Sequence, residues 1–527
     1  VKITYPDEQW MNVSPSMDPS LELRDSFSQP LAWAPWNPRE LLAGFQYLMA
    51  TTDGGVHWRK MSPDLAAPTG QVAATAGRAA TQGGTEPPGG AIESISASTV
   101  APGTIWVGTD NGQIQVTRDD GKTWRNVTIP GLPDPTHADI STIDASHQDA
   151  ATAYVAIDYH RTGDYAPYLY RTHDVGKTWT KIVGGLPADQ PAGGFARVIR
   201  ADTKKAGLLF AGTESAMYVS FDDGDHWQSL MLNLPTTSYR DITVHGNDLI
   251  VGTYGRGIWI LDDYPVLRQL TPAIAGEPAH LFKPDDAVRV RRNVNADTPY
   301  PPEVPHALNP PDGVIIHYSL SSKPAGDITL DVKDASGKVV RHLSSAPITP
   351  VTEAAQPPEP NFWLAVPTPM PTEAGINRVN WDLRYDAPPA FTHTFEINAN
   401  PGLTPASPEG PLALPGVYTI ELTVNGRRYT QTVTVRNDPR SPATTAALRA
   451  QHALLMKLYA GIGAAWDGYH QVAALRAAVE KSAGANAPAD VAAAAAALEA
   501  TLDTVAGNPQ GGRGFRRRGG PTPPPNF

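Results

Sequence analysis

The sequence has no cysteine, an excess of acidic residues and no long apolar run. None of its 527 residues is cysteine, which excludes a disulfide framework, a thiol nucleophile and a cysteine-ligated metal. The net charge of -11 disfavours nucleic acid as a partner, because nucleic acids bind positively charged surfaces. No segment reaches the roughly 18 apolar residues that a membrane-spanning helix needs, so no transmembrane segment is predicted.

Motifs for several common enzyme chemistries are also missing. The chain has no His-Glu-x-x-His metal motif, no phosphate-binding loop, no Gly-x-Ser-x-Gly turn and no histidine pair with metal-ligand spacing. We therefore predict no metal site and no cofactor. Glycoside hydrolysis stays open, because it needs two carboxylates at a suitable separation and the chain has 53 acidic residues.

The first half of the chain contains one pattern four times, [Ser/Thr]-x-Asp-x-Gly-x-[Thr/His]-Trp. The aspartates and tryptophans of the four copies are Asp53 and Trp58, Asp119 and Trp124, Asp174 and Trp179, and Asp222 and Trp227. An Asp beside a Gly accepts backbone hydrogen bonds in a tight hairpin turn, and the Trp supplies a large apolar surface between neighbouring sheets. A repeated residue most often has a repeated structural task, so we predict that these residues are structural and not catalytic.

The spacing of the copies indicates blades of a β-propeller. Successive aspartates are 66, 55 and 48 residues apart, and a four-stranded blade needs about 40 to 50 residues plus its loops. Short apolar strands precede each copy, and residues 248–261 repeat the strands without the Asp-Gly turn. The sequence therefore predicts about five blades within residues 1–270, which form either a complete ring or part of a larger propeller.

The repeated pattern resembles the Asp-box (BNR) repeat of sialidases, of xyloglucan-cleaving propellers and of receptor propellers of the sortilin/VPS10 type. This resemblance implies a β-propeller fold and no particular activity. The Phe/Tyr-Arg-Ile-Pro segment that a sialidase needs is absent. Most of the chain also resembles the C-terminal part of bacterial exported proteins related to sortilin, which are often labelled glycosyl hydrolases.

The second resemblance implies an extracytoplasmic location, which is periplasmic, secreted or at the cell surface. It also implies that a protein partner or an N-terminal propeller portion supplies further blades. The chain begins at Val1, without an initiator methionine or a signal peptide. We therefore expect it to be the later part of a longer polypeptide, with a complete five-bladed ring as the alternative.

The character of the sequence changes after the fifth repeat. Residues 271–438 contain short alternating strands and proline-rich stretches, which predict an Ig-like β-sandwich with long loops. Residues 439–507 predict an α-helical hairpin, whose first helix has Ser441 as its N-cap. Residues 508–527 are rich in Gly, Arg and Pro and predict a flexible tail. The predicted fold class is mainly β.

Two segments depart from the repeat and are candidate ligand-binding loops. One is an insertion before the third box, and the other replaces the turn of the fifth repeat. The candidate residues are Asp158, His160, Arg161, Asp164 and Tyr165 in the first segment, and Tyr254 and Arg256 in the second. Loops on a rigid scaffold commonly bind ligands, and aromatic and arginine side chains suit a sugar, a carboxylate or a peptide. The structural alternative is a packed loop, with Arg256 paired to a neighbouring aspartate.

These observations favour a binding or scaffold protein whose propeller holds a peptide, a glycan or a partner protein. The alternative is a glycoside hydrolase with its acid and base carboxylates in the blade loops. The sequence identifies no catalytic residue and leaves open whether the protein is an enzyme.

Overall fold

The computed structural model describes residues 2–4, 8–26, 28–67, 89–188, 194–290, 303, 307, 309–349, 360–391, 400–484 and 487–506. The chain divides into two compact units, Val1–Arg268 and Gln269–Phe527. Strands dominate the described residues, so the fold is mainly β.

The first unit begins with a hairpin and continues with five antiparallel sheets. Each sheet contains strands that are consecutive in sequence. The hairpin consists of β1 (Lys2–Thr4) and β2 (Gln9–Met11). The first sheet contains β3 (Leu31–Trp33), β4 (Leu41–Gly44), β5 (Leu48–Thr51) and β6 (Arg59–Lys60). The second contains β7 (Ile92–Ala97), β8 (Ile105–Thr109), β9 (Ile114–Thr117) and β10 (Arg125–Asn126).

The next two sheets also have four strands, and the fifth has three. The third sheet contains β11 (Asp139–Ala145), β12 (Ala153–Asp158), β13 (Tyr168–Thr172) and β14 (Thr180–Lys181). The fourth contains β15 (Ala196–Ala201), β16 (Leu209–Thr213), β17 (Met217–Ser220) and β18 (Gln228–Ser229). The fifth contains β19 (Tyr239–His245), β20 (Asp248–Thr253) and β21 (Ile258–Leu261).

The sheets pack face to face in chain order through their first strands. β7 contacts β3 and β4, β11 contacts β7 and β8, β15 contacts β11 and β12, and β19 contacts β15 and β16. The inner strands β11 and β15 are therefore covered on both faces, and Ile143, Val198 and Ile199 are buried there. Meanders of four strands stacked in this order are the blades of a β-propeller.

The series of blades has two open ends among the described residues. No packing of similar extent joins the fifth sheet to the first. At one end β21 exposes Ile258 and Ile260, and at the other end β3 exposes Leu31 and Trp33. The described residues therefore form a row of five blades in which no such contact joins the last blade to the first.

Each of the four repeated motifs, called boxes below, is the turn between the third and fourth strands of a sheet, and the third box shows its hydrogen bonds. Thr172 Oγ1 donates to Asp174 Oδ1 over 2.9 Å and accepts from the Gly176 N–H over 2.9 Å. Asp174 Oδ1 also accepts from the Thr178 N–H over 2.9 Å. These bonds to the ionised carboxylate, first of all the one from the Thr178 N–H, lower the pKa of Asp174 to about 2.

The tryptophan of each box connects its sheet to the preceding sheet. Its indole Nε1 donates to the backbone carbonyl of the residue that follows the preceding fourth strand. The pairs are Trp124 with Met61 at 3.2 Å, Trp179 with Val127 at 2.8 Å, and Trp227 with Ile182 at 2.9 Å. One side chain thus provides both apolar contact and a directional bond between neighbouring blades.

The second unit contains two larger sheets after two short helices, α1 (Val266–Gln269) and α2 (Pro272–Ala275), the first of which starts in the first unit. The strands are β22 (Ala279–Leu281), β23 (Ala287–Arg289), β24 (Val314–Leu320), β25 (Thr329–Lys333), β26 (Val339–Ser344), β27 (Leu364–Ala365), β28 (Gly375–Trp381), β29 (Thr404–Pro405), β30 (Gly416–Val424) and β31 (Arg427–Asn437). The orders are β23-β31-β30-β25-β26 and β22-β24-β28, and β27 pairs with β29.

The two larger sheets of the second unit share one core. Ile316 and Trp381 of the smaller sheet lie in the same buried cluster as Leu330 and Ile420 of the larger sheet. The Trp381 ring meets the Tyr418 ring edge-on, with 4.9 Å between centroids. Two sheets are therefore held together by alternating residues that point to one side of each strand.

Two long helices complete the described part of the second unit, α3 (Thr445–Ser482) and α4 (Ala489–Ala506). Arg476 of α3 forms salt bridges of 2.8 Å with Glu499 and with Asp503 of α4. The prediction of Ser441 as N-cap is wrong. Thr444 is the N-cap, because its hydroxyl accepts the Ala447 N–H over 3.2 Å.

The predicted flexible tail, residues 508–527, lies outside the described residues. Within the described residues, neither long helix combines the length and the apolarity that a bilayer crossing requires.

The indole hydrogen bond predicts a specific loss of stability. Trp227 is 4% exposed, and Trp227→Phe removes the donor to the Ile182 carbonyl while keeping an aromatic ring. We expect the free energy of unfolding to fall by about 1–2 kcal/mol, measured by urea unfolding of the full chain.

The matched control is Trp10→Phe, because Trp10 is 74% exposed. This substitution is expected to change the free energy of unfolding by less than about 0.5 kcal/mol. Equal losses in the two variants would show that the indole bond between blades is unimportant.

Candidate functional site

The candidate residues lie at the end of the blades opposite the boxes. In an antiparallel meander, the turn between strands two and three lies at the same end as the start of strand one. Asp158, at the end of β12, and Tyr254, just after β20, lie at this end. We call it the upper face and define it by the starts of β7, β11, β15 and β19 and by the turns after β8, β12, β16 and β20.

A β-bulge near the start of the first strand of the second to fifth sheets aims side chains at the upper face. The pairing register shifts by one residue at Glu93 in β7, at Arg197 in β15 and at Arg240 in β19, and between Asp139 and Thr142 in β11. A bulged residue leaves the ladder and redirects its side chain. Equivalent positions of successive blades therefore present charged groups at one end of the molecule's first unit.

Asp158 is the centre of an ion-pair network that joins blades three and four. Its side chain is 1% exposed and pairs with Arg197 Nη1 at 2.5 Å and with His160 Nδ1 at 2.8 Å. Arg197 Nε also contacts Glu214 Oε2 at 3.2 Å, and this oxygen accepts the Ser238 hydroxyl at 2.6 Å. A buried carboxylate needs such partners, because desolvation of an unpaired charge is costly.

Aromatic rings surround this network. The His160 ring stacks on Phe195 with 5.2 Å between centroids, and the Arg197 guanidinium lies 4.6 Å from the centre of the same ring. Tyr165 contacts Phe195 from another side, at 5.9 Å between centroids. The upper face thus has an aromatic floor next to its charged groups, a combination suited to sugars and to planar or carboxylate groups.

A second acid, Asp139, lies across the β11–β12 ladder from Asp158. Its Oδ1 is buried and has no hydrogen-bond partner among the described residues. Burial, reinforced by the carboxylates of Glu93 and Asp158, raises the pKa of Asp139 to about 8. At neutral pH this carboxyl group is therefore mostly protonated and able to donate a proton.

Arg161 and Arg240 are exposed cations of the upper face, as is Arg256 in the β20–β21 turn. Arg161 forms no salt bridge among the described residues, although it is near enough to Asp139 and Asp110 to oppose the rise in their pKa. The Arg240 guanidinium lies 4.9 Å from the centre of the Tyr254 ring. Arg161 and Arg240 both have donors that remain accessible to a ligand.

The structure brings three of the seven candidate residues from the sequence together. Asp158 and His160 are in direct contact, and Tyr165 meets the same aromatic floor. The Asp164 carboxylate stays within the insertion, where it accepts the Tyr168 hydroxyl at 2.7 Å. Arg256 lies in the exposed β20–β21 turn, and no partner of its side chain is found in the described ranges, so the expected pairing with an aspartate is not seen there.

Several residues of the network do not follow from the reasoning on the sequence. Arg197 and Glu214 belong to it, and Asp139, Phe195 and Arg240 lie near it at the upper face, without any of the five standing in either unusual loop. An alignment of the blades could have found them. Asp158 ends its strand where Thr109, Thr213 and Thr253 end theirs, and Arg197 and Arg240 occupy the same bulge.

In the described part of the chain, no three His, Asp or Glu side chains are grouped so that they could hold a metal ion. The Asp158 carboxylate instead pairs with Arg197 and is hydrogen-bonded to His160, and burial raises the pKa of Asp139 to about 8.

No protein-family model matches the chain, and no curated protein matches it. A GH74 xyloglucanase from Xanthomonas campestris is similar over 55% of this chain and 42% of its own, with 18% identity and a TM-score of 0.35. The Niastella koreensis GH74 enzyme is similar over 44% and 29%, with 17% identity and a TM-score of 0.28. YCF48 bound to D1 peptide is similar over 46% and 84%, with 15% identity and a TM-score of 0.23.

The chain thus spans less than half of either GH74 structure. All three TM-scores lie below 0.5, so these likenesses do not assign an activity.

The raised pKa of Asp139 predicts how stability depends on pH. Because its folded pKa of about 8 lies above the ordinary value of 3.8, folding holds a proton that the unfolded chain releases. The resulting loss of stability grows from about pH 4 to about pH 8. Asp139→Asn removes this loss, so its melting temperature should equal that of the wild type near pH 4 and exceed it near pH 8.

Thermal unfolding of both proteins at the two pH values is the measurement. A difference in melting temperature that is the same at both values would contradict a buried neutral acid at this position.

Proposed function

We propose that the protein is an exported binding propeller whose upper face holds an anionic group of a peptide, a glycan or a partner protein. The observation that supports this most is the presence of two exposed guanidinium groups, Arg161 and Arg240, the second of which lies beside the Tyr254 ring. Guanidinium groups bind carboxylates through two parallel hydrogen bonds, and aromatic rings bind sugars and side chains.

The network below these arginines supports binding because it is rigid. Asp158 is fixed by Arg197 and His160, and Phe195 is buried under the same two side chains. A binding site gains affinity when its groups are already held in the bound geometry. The blades thus provide a preorganised floor, and the exposed turns provide accessible donors.

The wider organisation belongs to the same proposal. We place the protein outside the cytoplasm, with the first unit as Asp-box propeller blades within a larger polypeptide or assembly. The second unit would consist of an Ig-like sandwich at 271–438 and a helical hairpin at 439–507 that dock the blades. The Arg476 salt bridges between the two helices support an antiparallel pairing.

Binding is tested with probes that differ in charge. These are an oligogalacturonate, a neutral cello-oligosaccharide, and a short peptide with a free or amidated C-terminus, each measured by calorimetry. We expect the carboxylate-bearing probes to be preferred, and Arg161→Ala or Arg240→Ala to weaken them by about tenfold.

The control is Arg118→Ala, which removes another exposed arginine, from the opposite end of the blades. It should leave binding unchanged. Affinities that survive both upper-face substitutions, or that fall equally in Arg118→Ala, would contradict the proposed site.

Glycoside hydrolysis is the second candidate, and Asp139 is the observation that favours it. A carboxyl group with a pKa of about 8 is a suitable general acid at neutral pH. Asp158 is not available as its basic partner, because it is buried and paired. Glu93, on the neighbouring blade, would have to activate the water.

This candidate predicts that the wild type releases reducing ends from a polysaccharide in a panel of β-glucans. Asp139→Asn and Glu93→Gln should each lower the rate by about 100-fold or more. Asp164→Asn, in the adjacent loop, should leave it unchanged. Absence of any release, or retained activity in Asp139→Asn, would exclude this mechanism.

A further inference from the structure

The hairpin at the start of the chain has the geometry of the outer half of a blade. β1 and β2 pair Ile3 with Trp10 across the ladder, seven residues apart. In the box of the third blade, Thr172 and Trp179 are also seven residues apart. Only the tryptophan of the box motif is retained, because Ile3, Tyr5 and Asp7 stand where a box has Ser/Thr, Asp and Gly.

Val13 contacts the first blade in the way that Val127 contacts the third blade. It lies three residues after Trp10, as Val127 lies three residues after Trp124. Its carbonyl accepts the Trp58 indole at 2.8 Å, and the Val127 carbonyl accepts the Trp179 indole at 2.8 Å. The hairpin therefore occupies the place of strands three and four in a blade before the first.

A glycine of each box repeats this correspondence. A Cβ added to Gly55 would lie 2.6 Å from Val13 Cβ, and one added to Gly176 would lie 2.6 Å from Val127 Cβ. Both glycines thus pack against the residue after the preceding fourth strand. The contact between the hairpin and the first blade is the same contact that joins the other blades.

The two inner strands of this additional blade are absent from the described residues. β1 pairs with β2 alone among the named strands. In the first blade, Ala32 of β3 packs toward the core shared with the second blade, whereas Leu31 and Trp33 are 63% and 61% exposed. An inner strand next to β3 would cover these two side chains, as β7 covers the other face.

Trp10 has the position of a box tryptophan, but its side chain is exposed. The box tryptophans donate their indole N–H to a preceding carbonyl, and Trp10 is 74% exposed. Exposed strand edges and large apolar side chains of this kind mark a surface that is covered by another chain segment.

We propose that β1–β2 is the outer half of a sixth blade, which Asp-box sheets outside residues 1–527 complete. They would supply two antiparallel strands to the edge of β1 and a four-stranded sheet whose final carbonyl accepts the Trp10 indole. The inference rests on the proposed larger assembly and identifies the surface at which that assembly contacts this chain. It does not depend on the ligand-binding upper face.

Two other occupants fit the surface less well. Residues 68–88 contain one valine and no isoleucine, leucine or aromatic residue, so they lack the side chains of two core strands. A second copy could offer its open fifth sheet. The acceptor of each box indole follows a fourth strand or, at Val13, the equivalent strand β2. The fifth sheet has no fourth strand, so it offers Trp10 no such acceptor.

The test uses blades of the protein itself as the probe. In a fusion, a copy of residues 89–169 is placed directly ahead of Val1. This copy supplies the complete second blade and the strands β11 and β12 of the third blade. Ile3 then stands three residues after the copy of residue 169, which is the position of Thr172 in the third blade. A scrambled copy of residues 89–169 is the matched control. Hydroxyl-radical footprinting with mass spectrometry measures the reactivity of Trp10 and Trp33.

We expect the reactivity of Trp10 to fall roughly fivefold in the fusion, together with that of Trp33. Tyr254, at the far end of the blades, should be unchanged, and the scrambled control should resemble the unfused chain. Binding of the charged probes to the upper face is measured separately, so either proposal can fail alone.

Three results would overturn the proposal. Trp10 and Trp33 could stay as reactive in a folded fusion as in the unfused chain. The unfused chain could be a dimer in which both are already protected, which would make a second copy the occupant. A second fusion built from the next repeat, residues 138–217, places Ile3 at the position of Ser220 and guards against one poor junction. Failure of both fusions to fold would also contradict the proposal.

Discussion

The indole hydrogen bond from each box tryptophan to the end of the preceding blade is the constraint on which the first unit depends. Trp179 and Trp227 show it most plainly, with acceptors at Val127 and Ile182. The box aspartate is needed because it closes the turn that places the indole. Each blade that carries a box is therefore fixed at one end in its spacing to the preceding element, and the repeated motif is a structural device.

At the opposite end, the residues can differ from blade to blade because they do not have to maintain this spacing. There Asp158 replaces a threonine of the other blades and Arg197 comes from the next blade to neutralise it. That pair forms only if the two blades stand at the correct distance. The upper face can thus hold a buried ion pair and the neutral acid Asp139, since the tryptophans have already set the geometry.

The sequence predicts the β-rich blades because their motif is local. An Asp, a Gly and a Trp at fixed spacing specify one turn, and short apolar strands around it specify a sheet. The same reasoning fails at Trp10, where Ile3 and Asp7 replace the turn residues and three-dimensional register alone shows the relation. Arg197 and Glu214 were likewise missed, because their partner Asp158 lies in another blade and a sequence does not give contacts between blades. Arg161 and Tyr254 could be chosen from unusual loops, whereas the protonation of Asp139 depends on burial that no sequence pattern records.

Hydrogen exchange of the indole N–H groups tests the central claim most directly. The chain has 12 tryptophans, and their indole resonances can be assigned by single Trp→Phe substitutions. The account predicts slow exchange for Trp179 and Trp227, whose indoles are bonded to the preceding blade, and fast exchange for Trp10 and Trp33. Exchange of Trp227 as fast as that of Trp33 would mean that the blades are not connected through their tryptophans, and the account would be wrong.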